Sequence, residues 1–170
     1  MATVPFSSSL KKEYDTLFNT CIIRQQTAPE VQGIADRLVS NSQPYRDVGT
    51  TLGIPWFFIA VIHNMESSLN FKAHLHNGDP LAARTVQEPK GRPKNGQPPF
   101  TWEESAIDAL TLKGLSSSTD WSLAGTLYQL ERYNGFGYRL YHPHVLSPYL
   151  WCYSNHYTSG KYVKDGVCVV

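Results

Sequence analysis

Apolar residues recur at helical spacing in several separate stretches of the chain. Residues 9–21 carry apolar side chains every three or four positions after a run of serines, which is typical of a capped helix. Residues 29–39 repeat the pattern, with Thr27 as the candidate N-cap and Pro29 in the first turn. Residues 41–44 are then predicted to break the chain. Two helices and a break are therefore expected before residue 45.

The longest apolar stretch, residues 54–62, predicts a third helix that begins after Gly53 and continues towards Leu69. This helix is apolar on nearly every side, which is typical of a central helix covered by other helices. The apolar stretch has about half of the length that a membrane span needs, so stable insertion into a membrane is not expected.

Glycine, proline, asparagine and aspartate recur in residues 71–99, and this composition predicts a lobe built mainly of loops. Residues 83–87 are a candidate strand for a small β-hairpin within the lobe. Helices are predicted again at 101–112, 120–132 and 147–153, the first of them starting with a capping box. The fold class predicted by these patterns is mainly α (α+β), with a central buried helix and a small β-hairpin or loop lobe as one wall of a cleft.

Size and composition narrow the classes of protein that fit. A chain of 170 residues suits one domain spanning residues 1–170, and a net charge of +1 provides no strong field for nucleic acid. Three cysteines without CxxC spacing predict neither a zinc knuckle nor a disulfide framework. The first residues lack the pattern of a signal peptide, so synthesis in the cytoplasm is expected. We also expect a monomer that needs no metal or other cofactor.

Glu66 lies where the apolar helix gives way to polar residues. A carboxyl group there faces the negative end of the helix dipole above an apolar wall, and both effects favour the protonated form and a raised pKa. Glycosidases need such a group to protonate the departing sugar oxygen. The same position also suits an ordinary solvated glutamate at a helix end, and composition alone does not separate the two interpretations.

Asp79 is the candidate second carboxylate, in a loop short enough to fold back over the end of the helix. It is predicted to orient and deprotonate a water molecule, helped by the hydroxyl of Thr85. The sequence Asn77-Gly78-Asp79-Pro80 is equally typical of a tight turn, and Glu88 is the spare candidate for the base.

Histidines and aromatic residues supply candidate substrate contacts. His76 flanks the Asp79 loop and is expected to bond to substrate, although two His-x-His pairs with Asp79 also suggest a metal site. Tyrosines such as Tyr138 crowd the last third of the chain, where they suit either sugar stacking or core packing. Asn134 can offer both a donor and an acceptor to an N-acetyl group.

Two motifs together resemble a known superfamily. Glu66-Ser67 after an apolar helix resembles the acid–serine pair of goose-type lysozymes and lytic transglycosylases, and residues 133–138 are similar to their Tyr-Asn-Gly loop. The stretch 54–93 also resembles bacterial and phage lysozyme-family cell-wall hydrolases. The resemblance covers roughly residues 45–165 and implies a lysozyme-like fold, in which a helix delivers the catalytic glutamate to a cleft.

The resemblance implies that Glu66 is the acid, that Ser67 supports it and that Tyr133 and Asn134 line the sugar site. Asp79 and Thr85 are similar to the Asp and Thr of phage-type lysozymes. An endo-acting, inverting muramidase that cuts the β-1,4 bonds of peptidoglycan is therefore expected, acting on the cell wall after release. A chitinase or chitosanase, or a non-catalytic glycan-binding module of the same fold, are the alternatives.

Overall fold

The computed structural model describes residues 3–164 and 167–169 of the chain. Within these residues, eight α-helices precede one short two-stranded sheet. The elements are α1 (Ser8–Asn19), α2 (Ala28–Ser40), α3 (Ser42–Leu52), α4 (Trp56–Ser67), α5 (Trp102–Leu112), α6 (Leu123–Asn134), α7 (Gly137–Tyr141), α8 (Pro148–Trp151), β1 (Lys161–Lys164) and β2 (Val167–Val169). The predicted mainly α class is confirmed.

The contacts divide the chain into two compact units. The first unit comprises the residues up to Ala35 and from Asp120 onward, and the second comprises Asp36–Thr119. The boundary falls inside α2, so one continuous helix contributes to both units. The single domain expected from the sequence stays a prediction.

The second unit is built around α4, which packs against α3, while α3 also packs against α5. Five residues of α4 are buried: Phe58, Ile59, Ala60, Ile62 and His63. Phe57 on the same helix is 50% exposed, so the expectation that other helices cover α4 on every side is wrong. The apolar content of a helix predicts burial, but not which of its faces finds a neighbour.

The turn between α3 and α4 depends on two glycines. Gly53 ends α3 in the left-handed conformation, with a φ of 69°, which glycine adopts without steric cost. The amide of Ile54 donates to the carbonyl of Gly49 at 3.0 Å. A Cβ atom on Gly49 would lie 2.6 Å from the carbonyl oxygen of Ile54, so this close approach excludes any side chain at position 49.

The lobe, residues 71–99, contains neither a helix nor a strand. Its one strand-like pairing is an isolated antiparallel bridge between Ala73 and Pro80. The predicted strand at 83–87 is wrong, because the backbone of Thr85 bonds locally to Gly91 and Arg92 rather than to a neighbouring strand. The prediction of a loop-built lobe is confirmed, but its β-hairpin is not.

Local sequence signals predicted the start of α5 correctly but not the start of α3. The side chains of Thr101 and Glu104 each bond to the other's backbone amide, so the predicted capping box of α5 is confirmed. The predicted break at 41–44 is confirmed only at Asn41, which separates α2 from α3; α3 itself was not predicted, begins at Ser42 and contains Pro44 in its first turn. A first-turn proline removes no helical hydrogen bond, since the amide there has no partner within the helix.

The first unit packs α1 against α6, and α6 against α8. The sequence patterns did not predict α7, and the last helix is shorter than the predicted range 147–153. The sheet of β1 and β2 is antiparallel, with Lys161 opposite Val169. The only strands in the described residues therefore lie near the end of the chain, rather than after the central helix.

In the described part of the chain, no single helix is long and apolar enough to cross a membrane. Helices α3 and α4 reach the length and apolar composition of a membrane span only when they are counted together, and the chain bends by 120° at the break between them.

Replacing Gly49 by alanine should destabilise the protein by roughly 1–3 kcal/mol, because the added methyl group collides with backbone that has little room to move. Gly33 provides the matched control, since it is exposed on α2 and a Cβ there meets nothing within 4 Å. Gly33→Ala should stabilise by roughly 0.5–1 kcal/mol. Urea unfolding of both variants measures the difference, and equal effects would contradict the steric explanation.

Candidate active site

Glu66 lies in the last turn of α4 and is half-buried. Helical spacing aligns it with Ile59, Ile62 and His63, which are all fully buried. The carboxyl group therefore extends from the buried face of the helix at the edge of the core. This is the position expected of a group that needs both an apolar wall and access to solvent.

The end of α4 is closed by its own backbone and by Ser67. Ser68 adopts the left-handed conformation and donates its amide to the carbonyl of Asn64. The hydroxyl of Ser67 donates to the carbonyl of His63 at 3.2 Å. Ser67 thus stabilises the last turn that carries Glu66, while its predicted support of the acid group itself stays a prediction.

A tight turn of the lobe, residues 74–80, lies against this helix end. The amide of His74 donates to the carbonyl of Asp79 at 2.6 Å, and that of Gly78 donates to the carbonyl of His74 at 2.8 Å. A Cβ on Gly78 would be 3.5 Å from the carbonyl oxygen of Glu66, so the turn passes close to the backbone of the candidate acid. The structure thereby brings the Asp79 turn and the Glu66 helix end together.

Asp79 is 5% exposed, and its carboxylate is hydrogen-bonded within the lobe. Its Oδ2 accepts the amides of Val86 at 2.8 Å and Gln87 at 3.0 Å, and its Oδ1 accepts the Gln87 side-chain amide at 3.1 Å. These hydrogen bonds, led by the backbone amide of Gln87, hold the pKa of Asp79 below its usual range. Asp79 is thus an anion whose hydrogen bonds hold its own loop together. Its burial argues against easy access of water to the carboxylate.

Thr85 is 3% exposed and has both hydrogen-bonding functions in use. Its hydroxyl donates to the carbonyl of Pro89 and accepts the amide of Arg92 at 2.9 Å. These contacts close the loop after Asp79, and they are not those expected of a hydroxyl that positions water. Glu88, the spare carboxylate, has an 83% exposed side chain and lies 4.0 Å from the ammonium of Lys90.

His76 does not have the environment of a substrate ligand. Its side chain is 1% exposed, its Nε2 lies 2.6 Å from the carboxylate of Asp108, and its Nδ1 lies 3.4 Å from the hydroxyl of Ser105. These contacts correct the predicted substrate-binding role, because the ring faces helix α5 instead of solvent. The Asp108 partner was not identified from the sequence.

The alternative metal interpretation of the His-x-His pair is not supported either. His74 uses Nδ1 with the hydroxyl of Ser105 and Nε2 with the carbonyl of Ala83, both at 2.8 Å. Asp79 is occupied by its own loop. Among the residues that the structure describes, no group of three or more His, Cys, Asp or Glu is arranged to hold a metal ion.

Tyr133, Asn134 and Tyr138 belong to the first unit, around the junction of α6 and α7. Gly135 ends α6 with a φ of 99°, a conformation that favours glycine. The two tyrosines are buried and only Asn134 is exposed, so Asn134 is the one of the three whose side chain is open to solvent. The predicted roles of all three in a sugar site stay predictions.

A buried carboxylate near this junction also escaped the sequence analysis. Glu131, 2% exposed, accepts two hydrogen bonds from Arg139 of α7, at 3.2 and 3.0 Å, and one from the hydroxyl of Tyr14 of α1. Arg139 also donates to Glu13 at 2.7 Å. The group joins three helices of the first unit and spans the turn at Gly135, directly after Asn134 at the end of α6.

His63 is fully buried beside Tyr45, Phe71 and Trp102. Its Nδ1 lies 2.8 Å from the hydroxyl of Tyr45. Burial lowers the pKa of His63, and the nearby backbone of Asn70 opposes the shift in part. Burial likewise lowers the pKa of His76, although Asp108 opposes it. Both rings therefore favour the neutral form in the folded protein.

Comparison of the chain with protein-family models, curated proteins and solved structures found no match in any of the three.

The two buried histidines predict a loss of stability in acid. Their pKa values are lowered on folding from an unfolded value near 6.5, so the unfolded chain binds more protons as the pH falls below 6.5. The free energy of unfolding should then decrease, at up to about 1.4 kcal/mol per pH unit for each proton taken up. Urea unfolding between about pH 5 and pH 7.5 measures this slope.

His63→Phe should flatten the slope even if it changes stability at neutral pH, because one of the protons is no longer taken up on unfolding. His144→Gln, at an exposed histidine, is the control and should leave the slope as it is. A slope that is the same in wild type and His63→Phe would contradict the assignment to His63.

Proposed function

We propose that this protein is a lysozyme-like glycoside hydrolase that cleaves the β-1,4 bonds of peptidoglycan, with Glu66 as the general acid. The observation that carries the proposal is the position of Glu66. It continues the buried face of α4, is half-buried, and lies where the turn of residues 74–80 passes close to the helix backbone. A proton donor at the edge of an apolar core, beside an irregular loop-built wall, suits glycosidic bond cleavage.

An inverting reaction needs a second carboxylate that activates water, and Asp79 is the candidate. The two oxygens of Asp79 differ in what binds them. Oδ2 is held by two backbone amides, whereas Oδ1 accepts the amide of the exposed Gln87 side chain. A side-chain amide can rotate away without disrupting the loop. We therefore assign Oδ1 as the atom that would accept the proton of water.

The resemblance of the sequence motifs to goose-type lysozymes and lytic transglycosylases also supports this proposal. A chitinase or chitosanase would use the same acid on a polymer without peptide stems. Release of soluble sugars from purified chitin or chitosan, compared with digestion of purified cell walls, separates these substrates. A glycan-binding module would bind the polymer without releasing products.

Glu66→Gln should leave the fold intact and lower the rate of cell-wall digestion by at least ~10²-fold, because the amide cannot donate the proton to the leaving oxygen. Mass spectrometry of the products measures the rate and also shows whether water or an anhydro sugar terminates the chain. Glu103→Gln makes the same change of charge on α5 and should digest like wild type. Turnover by folded Glu66→Gln near the wild-type rate would remove Glu66 from the mechanism.

Asp79→Asn and Gln87→Ala test the second carboxylate as a pair. If Oδ1 is the base, Asp79→Asn should lower kcat by at least ~10²-fold, whereas Gln87→Ala should keep kcat within about twofold. The first-formed product of wild type should have the α configuration, which NMR detects before mutarotation. If Asp79→Asn lowers kcat by less than about tenfold, Asp79 is not the base and serves only to hold its loop. Glu88 is then the next candidate for the base.

A further inference from the structure

A continuous chain of polar side chains joins the lobe to one face of helix α5. The lobe contributes His74, His76 and Arg92, and α5 contributes Ser105 and Asp108, which lie three positions apart on the helix. We call these five residues the lobe–helix array. All of them belong to the second unit, and none serves as acid or base in the reaction proposed above.

Asp108 is the centre of the array. The guanidinium of Arg92 binds its carboxylate through two hydrogen bonds, at 2.9 Å to Oδ2 and 2.7 Å to Oδ1. Nε2 of His76 lies 2.6 Å from the same Oδ2. The three side chains are 1% (His76), 13% (Arg92) and 18% (Asp108) exposed. Such a two-pronged, largely buried arrangement fixes direction as well as distance.

The hydrogen-bond partners assign the protons of the rest of the array. His74 Nε2 faces the carbonyl of Ala83, which can only accept, so this nitrogen carries the hydrogen. His74 Nδ1 then accepts the hydroxyl proton of Ser105. The Ser105 oxygen receives the amide of Leu75 at 3.2 Å. Both the backbone and the side chains of the turn are thus hydrogen-bonded to α5.

The order Ser105, His76, Asp108 resembles that of a hydrolytic triad, but the environment differs. Ser105 is fully buried in the middle of a helix, and its hydroxyl proton is used by His74. A nucleophile must reach its substrate and be hydrogen-bonded to a base that can take its proton. The array therefore holds structure in place and does not form a second catalytic centre.

We propose that Asp108 is a positioning residue for the Glu66 site. Through His76 of the turn and Arg92 farther along the lobe, it holds the turn of residues 74–80 near the end of α4, where Gly78 passes close to the backbone of Glu66. The turn has no regular secondary structure that would hold it otherwise, and its other end is tied by Asp79 to Val86 and Gln87. The kinetic part of this inference rests on the proposed function, and the structural part does not.

Asp108→Asn tests the array directly, because it keeps the shape of the side chain and removes its charge. Amide hydrogen exchange of residues 74–79 should become at least about tenfold faster, whereas Glu103→Gln on the same helix should leave it unchanged. The Nε2 proton of His76, in its short hydrogen bond to the carboxylate, should give a far-downfield NMR signal in wild type that is lost in the variant. Unchanged exchange in folded Asp108→Asn would overturn the proposal.

Arg92→Lys is the second variant, for the case that Asp108→Asn does not fold. Lysine keeps the positive charge but cannot form the two-pronged contact, so the same amides should exchange faster, to a smaller extent. Exchange equal to wild type in this variant would also overturn the role of the Asp108–Arg92 pair.

The kinetic measurement uses a soluble oligosaccharide, so that kcat and KM are separated. A displaced cleft wall should lower kcat by about 10- to 100-fold with KM changed less than about threefold. Faster amide hydrogen exchange together with a wild-type kcat in Asp108→Asn would overturn the positioning role. If wild type cleaves no glycan, the proposed function fails, and the exchange and NMR experiments still decide whether Asp108 holds the turn.

Discussion

The carboxylate of Asp108 binds Arg92 and His76 at the place where the lobe meets α5, and this contact ties the irregular lobe to a helix of the second unit. A segment without helices or strands cannot satisfy its backbone groups by a regular ladder, so side chains must do part of that work. Within the lobe, Asp79 and Thr85 bind backbone groups in this way, while Asp108 of α5 binds two lobe side chains, His76 and Arg92. A few directional polar contacts therefore help to set the shape of the lobe, beside the buried side chains of Leu75 and Leu81.

The first unit uses the same kind of device. Glu131 is buried on α6 and receives Arg139 and Tyr14, next to the glycine at which the helix ends. Removing one member of such a group leaves a buried charge without a partner, which is strongly destabilising. Replacing the whole group by apolar residues is often neutral or better, so net stability does not explain it. Fixing one arrangement of the segments that it joins is the better physical reason in both units: the lobe with α5 in the second, and three helices in the first.

Glu66 lies where one short segment combines a buried apolar face with access to solvent. The helix behind it is fully buried at Ile59, Ile62 and His63, and Glu66 itself is half-buried. An acid that protonates a leaving group needs this mixture of an apolar wall and contact with substrate. A wall that moves freely would lose the alignment, so a rigid array beneath a loop-built wall is consistent with a catalytic use of this helix end.

Local information in the sequence determined much of the helical framework. The apolar run from Ile54 to Ile62 predicted the buried helix, and Thr101 with Glu104 predicted where α5 begins, because periodicity and capping act over only a few residues. The same local view misjudged Pro44, whose effect depends on its place within a helix. It also read residues 83–87 as a strand, although no neighbouring strand pairs with them.

The sequence also identified Glu66 and the turn around Asp79 as neighbours of chemical interest, and the structure does bring the turn to the helix end. Only the tertiary structure decided which polar side chains pair with one another. His76, predicted to bind sugar, is a partner of Asp108. Nothing in the sequence distinguishes Asp108 or Glu131 from a solvated helix residue. The reason is physical: a polar side chain is defined by its partner, and partners such as Tyr14 and Glu131 are distant along the chain and meet only when the helices pack.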